Sequence, residues 1–158
     1  EFKDILLSVQ AIDKKGNVLT IAKKDINFEY RESGLSDDLI FLSASFRGKK
    51  DNLNNIKLEM NRIKAEKEKN QPSKIKTSGS TFKNPVSQTQ KKVWELIKES
   101  VPLDKKFGDA SISKKHCNFF VNEGNATFDD MTKLINFVSK KVLDKTGVSL
   151  EKEIKILE

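Results

Sequence analysis

Thr77-Ser78-Gly79-Ser80-Thr81-Phe82-Lys83-Asn84-Pro85 is the stretch on which the reading of this sequence turns. Within six residues it sets a hydroxyl, an ammonium and an amide. Gly79 lets the backbone come close to a ligand. Ser80 can donate or accept a proton, Lys83 can hold an anion, and Asn84 can both donate and accept. On the residues alone two readings stand: a ligand-binding loop, or an ordinary polar loop ahead of a helix. A phosphate loop is excluded, because the pattern GxxxxGK[ST] is absent.

Downstream, a helix is expected over about 89–100 with Val93, Trp94 and Ile97 inward. Residues 116–122 (HCNFFVN) read as a strand closed by the turn Glu123-Gly124-Asn125. Thr127 and Asp130 resemble a capping box. The helix they open places Met131, Leu134, Ile135, Val138, Val142 and Leu143 at helical spacing, and Gly147 stops it. A last strand is expected from Val148 to Leu157, with Val148, Leu150, Ile154 and Ile156 on one face and Glu151, Glu153 and Lys155 on the other.

Upstream, residues 4–12 and 18–22 read as a hairpin about Lys14-Lys15-Gly16-Asn17, and 39–47 as a third strand. Asp51 opens a helix over about 52–69 with the stripe Leu53, Ile56, Met60 and Ile63; its Lys64–Lys69 end alternates Lys and Glu, a solvated face. Gln71-Pro72 ends that helix, since proline disfavours helical geometry in the residue before it. A domain boundary is therefore expected near 70–72.

The 158 residues suffice for one ordinary domain or two small ones. No apolar run approaches the roughly 20 residues of a membrane span. The chain opens Glu1-Phe2-Lys3-Asp4 with no signal segment and no Met, which reads as an internal or processed start. One cysteine, Cys117, excludes an internal disulfide and fits a reducing compartment; it reads as packed rather than reactive. The net charge of +7 is open to two readings, an anionic partner or a lysine-rich proteome. Only Arg31, Arg47 and Arg62 are arginines, which argues against nucleic acid, where planar bidentate recognition favours arginine.

The stretch Gly79-Ser80-Thr81-Phe82-Lys83-Asn84-Pro85 resembles the GS-x-FKNP signature of the UDP-N-acetylenolpyruvoylglucosamine reductases. Further resemblances keep that family's order. Val93-Trp94-Glu95-Leu96-Ile97 is similar to its AW-x-LI helix. Gly108, Ala110, Ile112, Ser113, His116, Asn118 and Phe119 are similar to G-x-A-x-V-S-x-x-H-x-N-F. Gly147-Val148-Ser149-Leu150-Glu151-Lys152-Glu153-Ile154 is similar to G-V-x-L-E-x-E-V, and Phe28-x-Tyr30-Arg31-x-Ser33 to F-x-YR-x-S. Ser78, Val101 and Asp104 depart from positions usually held by glycine (or, at 78, alanine), a loss felt most where φ is positive.

The resemblance implies an α+β fold. Residues 1–70 would be the remainder of a FAD-binding domain, 72–146 a substrate-binding domain, and 147–158 a strand returning to an N-terminal half with no counterpart here. It implies an oxidoreductase of cytoplasmic cell-wall precursor synthesis, and so of cell shape and division. NADPH reduces FAD, and the flavin reduces UDP-N-acetylglucosamine enolpyruvate to UDP-N-acetylmuramate. Ser80 matches the proton donor and Glu153 the carboxyl group that stabilises the intermediate; Lys83, Asn84 and His116 match substrate contacts. Cofactor-binding residues are unassigned, no metal is implied, and the fragment alone is expected to be inactive. On the residues alone, a solvent-facing Glu153, an exposed Lys83 and a structural His116 remain open. Two alternatives stand beside the enzyme: a basic nucleic-acid-binding module, which steep salt dependence would favour, and an inactive split-gene product.

Overall fold

The computed structural model describes residues 1–157, which form two units, Glu1–Ile56 and Lys57 onward. The division falls inside a helix, upstream of the expected 70–72 boundary. Both units mix helices with antiparallel sheet, the segregated arrangement of an α+β fold.

The first unit begins with a short helix α1 (Phe2–Ile5), followed by β1 (Leu6–Ile12), β2 (Val18–Ala22) and β3 (Ile40–Phe46). They form a sheet of order β2-β1-β3. The hairpin forms because Asp13 accepts hydrogen bonds from the backbone of Lys15 and Asn17, at 2.8 and 2.9 Å, and so closes its own turn. Leu6, Val9 and Ile26 are the buried centre, while β3 is exposed throughout.

Helix α2 (Leu53–Asn70) spans the expected range, but its apolar stripe is not a buried face: Leu53, Ile56, Met60 and Ile63 are all exposed. Arg62 ties Glu59 and Glu66 along its surface, as i,i+3 and i,i+4 spacing permits.

The second unit carries β4 (Lys76–Ser80), α3 (Val93–Ser100), β5 (Lys106–Phe107), β6 (Ala110–Ile112), β7 (Phe119–Asn122) and α4 (Phe128–Thr146). The sheet has order β4-β7-β6-β5. Its core joins Phe82, Leu96, Ile97, Phe120, Leu134, Val138 and Val142. Phe82 and Phe120 meet edge to face at 5.9 Å. The capping box at α4 forms: Thr127 accepts from the Asp130 N–H, and Asp130 accepts from the Thr127 N–H. Gly147 ends α4 at φ 73°, in the left-handed region.

Four expectations are corrected. Helix α3 starts at Val93, not 89, and its buried face is Val93, Leu96 and Ile97; Trp94 lies about one-quarter turn off that face and is 41% exposed. The strand expected at 116–122 begins only at Phe119, because the Phe119 N–H turns back to the His116 carbonyl. Polar residues 76–80, expected as loop, pair with β7 as β4. Val148–Leu157 is not a strand: it makes one bridge, Phe82 to Lys152. The backbone bonds Lys83 N–H to Glu151 and Glu153 N–H to Thr81 flank that bridge, and no ladder extends from it among the described residues. The inward face survives, with Val148 and Leu150 buried in the unit's own core and Ile154 and Ile156 packed against it.

Ser78, Val101 and Asp104 carry no glycine strain. Among the described residues the non-glycine positive φ angles belong to Arg31 and Lys74, and Val101 sits at φ −127°.

Candidate active site

Ser80 is the last residue of β4, half-buried and paired with Phe119 of β7. The register slips between Thr77 and Ser80, and Gly79 occupies φ 89° inside that slip. A bulge of this kind re-aims the side chain that follows it. Thr77 anchors the bulge from below: its hydroxyl donates to the Phe120 carbonyl at 2.7 Å and accepts from the Gly79 N–H at 3.3 Å.

Thr81 and Phe82 continue from Ser80 as a buried middle segment, with Lys83 half-buried after them. On one side the Glu153 N–H donates to the Thr81 carbonyl at 2.8 Å, and the Lys83 N–H donates to the Glu151 carbonyl at 2.9 Å. The half-buried Glu153 is thereby brought beside the residue after Ser80. On the other side stands Asn118, only 3% exposed. Its carbonyl accepts from the Thr81 N–H at 2.8 Å. Its side-chain Oδ1 accepts from the Phe82 N–H at 3.1 Å, and its Nδ2 donates to the Phe82 carbonyl at 2.9 Å. Thr81 is fully buried, and its hydroxyl meets no partner among the described residues.

The other candidate residues divide. Lys83 reaches Glu151 at 2.6 Å, an ion pair at the edge of the segment. Asn84 Oδ1 accepts from the Val93 N–H at 3.0 Å and so satisfies a first-turn amide of α3. His116 packs edge-on against Phe119 at 5.0 Å, and its Nδ1 accepts from the Asn118 N–H at 3.3 Å. Burial holds its imidazole below the usual histidine range. Burial likewise pushes the Cys117 thiol up, and its Sγ donates to the Trp94 carbonyl, which fits a packed rather than a reactive thiol.

Beside His116 lies a surface pocket of about 490 Å³, lined among others by Trp94, Lys98, Lys114 and Lys115. Its lining holds three lysines and no carboxylate. The lysines were not singled out from the sequence: Lys114 and Lys115 directly precede His116, but in a chain this rich in lysine a lysine pair gives no distinct signal. Asn118 was visible only as a letter in H-x-N-F, with no hint of its two contacts.

The family model described as UDP-N-acetylenolpyruvoylglucosamine reductase, C-terminal domain, matches residues 71–157, more than half of the chain. The chain belongs to this reductase family. It is 63% identical over 158 residues to the UDP-N-acetylenolpyruvoylglucosamine reductase of Pelagibacter ubique, covering all of this chain and 52% of that protein. It is 46% identical over 154 residues to the enzyme so named from Rickettsia typhi, covering 98% of this chain and 51% of that one. A crystal structure of the reductase from Thermus caldophilus is similar with a TM-score of 0.78 at 28% identity, covering 98% of this chain and 54% of that chain. The chain thus spans about half the length of the curated relatives it matches. The matched range includes Ser80, Lys83, Asn84, His116 and Glu153.

Proposed function

We propose that this chain is the C-terminal portion of an NADPH-dependent, FAD-mediated reductase. It would convert UDP-N-acetylglucosamine enolpyruvate to UDP-N-acetylmuramate in cytoplasmic peptidoglycan precursor synthesis. The observation that carries the reading is the bond from Glu153 N–H to the Thr81 carbonyl, which sets a carboxyl-bearing residue next to the one that follows Ser80. Ser80 then delivers a proton to the enolate-like carbon, and Glu153 stabilises the substrate carboxylate side of that intermediate. Serine suits the first role because it donates without adding charge; position does the work of acidity.

Lys83, Asn84 and His116 serve substrate binding, with the lysines beside His116 available to the diphosphate.

FAD, when bound, supplies the hydride. The apolar pocket of the first unit, about 370 Å³ and lined by Leu6, Val9, Phe28 and Leu35 among others, offers serine hydroxyls and no cation for a pyrophosphate. By itself it does not fit a dinucleotide, and no step is assigned to a flavin held there. Most of the flavin contacts are assigned to residues upstream of this chain.

Calorimetric titration of this chain with the UDP-sugar and with ATP tests the substrate assignment. Tighter binding of the UDP-sugar is expected; equal affinity for the two would remove the support for a substrate site.

A further inference from the structure

Among the described residues, Phe82 is flanked on one side by the Glu151–Glu153 backbone and on the other by no strand. β7 begins at Phe119, and the chain before it has already turned at His116. The vacant ladder position is filled by a side chain. Asn118 presents an amide to the Phe82 peptide groups as a neighbouring strand would, one acceptor to the N–H and one donor to the C=O, at 3.1 and 2.9 Å. Phe82 is 1% exposed and Asn118 is 3% exposed, so water does not offer a substitute for either bond.

Asparagine meets this demand in a way its neighbours in chemistry do not. Aspartate keeps the acceptor and loses the donor. Serine and threonine are too short to span both groups, and glutamine is one methylene too long. A buried peptide with two lost partners would move toward any available donor and carry Thr81 with it. Thr81 is bonded to the Asn118 backbone on one side and to Glu153 on the other.

We infer that Asn118 is a positioning residue: its side-chain amide clamps Phe82 and thereby sets the placement of Ser80 relative to Glu153. The inference rests on the reductase reading for its kinetic consequence and on the hydrogen bonds alone for its structural one. A small displacement of a positioned donor costs up to about 10²-fold in rate. The loss falls on the chemical step, because Asn118 is buried and its side-chain amide is taken up by Phe82.

The Asn118→Asp variant supplies both the damage and its own rescue. Ionised, the carboxylate faces the Phe82 carbonyl oxygen and repels it. Protonated, the acid donates to that oxygen and restores the pair. Burial and the carbonyl both favour the neutral form. Activity relative to the parent therefore falls as pH rises.

The test has two arms. In this chain, hydrogen exchange read residue by residue should show the Phe82 N–H losing protection in Asn118→Ala, which removes both bonds, and keeping it in Asn118→Asp, which retains the acceptor. Protection in α4 should be unchanged, which separates a local effect from unfolding. In the full-length reductase, Asn118→Asp should lower kcat progressively as pH rises, by up to about 10²-fold once the carboxylate is ionised, with little change in KM for the UDP-sugar. Flavin reduction by NADPH should proceed at the parental rate. Unchanged protection at Phe82 in Asn118→Ala overturns the clamp. A loss confined to KM, or a loss with no recovery at acid pH, overturns its positioning role. A parent enzyme that reduces flavin but never passes hydride to the UDP-sugar overturns the reductase reading and the kinetic role with it, while the exchange arm still reports on the clamp.

Discussion

Glu153 donates its backbone N–H to the carbonyl oxygen of Thr81, 2.8 Å away, and so fixes the last segment of the chain against the residue that follows Ser80. Residues more than seventy positions apart thereby share one local frame. Val148 and Leu150, buried in the core, hold the segment from the other end. The arrangement makes the GS-x-FKNP stretch and the closing G-V-x-L-E-x-E-V stretch two sides of one structure.

The unpartnered hydroxyl of Thr81 gives a stability prediction. A buried donor without a partner loses about 1–3 kcal/mol of solvation. Thr81→Val keeps the shape and removes the hydroxyl, so this chain should become more stable by about 1 kcal/mol or be unchanged. Urea unfolding measures it. A loss of 1 kcal/mol or more would show that the hydroxyl is engaged in solution.

Gly79 gives a second. An added Cβ meets nothing within 4 Å, so steric crowding is not the issue. The cost lies in φ 89°, which an L side chain enters at a penalty of about 1–2 kcal/mol. Gly79→Ala should destabilise by that amount, whereas Ser78→Ala, at a position without positive φ, should stay within about 0.5 kcal/mol. Equal effects at the two positions would contradict the bulge geometry.

His116 is the one histidine in the chain, so its titration is readable without assignment. Burial lowers its folded value. The unfolded chain then binds more protons between that lowered value and the ordinary one near 6.5, so stability rises with pH across this window. Below the window the penalty is complete, and above it none remains. Proton NMR of the ring should give a midpoint below 6.5, and a midpoint at or above it would contradict the burial.

Much of the second unit was legible because its signals are local. The Thr127–Asp130 box, the apolar spacing along α4 and the stop at Gly147 all act within one helix, and they formed as read except that Leu143 is exposed. What escaped is what depends on distant partners. Polar Lys76–Ser80 became a strand only because β7 lies beside it. The alternation of Val148–Ile156 was read correctly for its inward face and wrongly for its ladder, since periodicity reports burial and not pairing. Trp94 sits one position off the buried stripe of α3, a distinction that a helical motif does not make. The site residues were named through the family signature; that Asn84 serves α3 and that Asn118 holds Phe82 came only from geometry.

The most direct test of the account separates the two half-reactions in the full-length reductase by stopped-flow absorbance of the flavin. In Ser80→Ala, reduction of flavin by NADPH should continue at the parental rate. Reoxidation by the UDP-sugar should slow by about 10²–10⁴, the contribution of one positioned proton donor. Ser80→Cys should recover part of this, and Glu153→Gln should be milder than Glu153→Ala. If Ser80→Ala reoxidises flavin with the UDP-sugar at the parental rate, Ser80 is not the proton donor, and the stretch around it acts in binding alone.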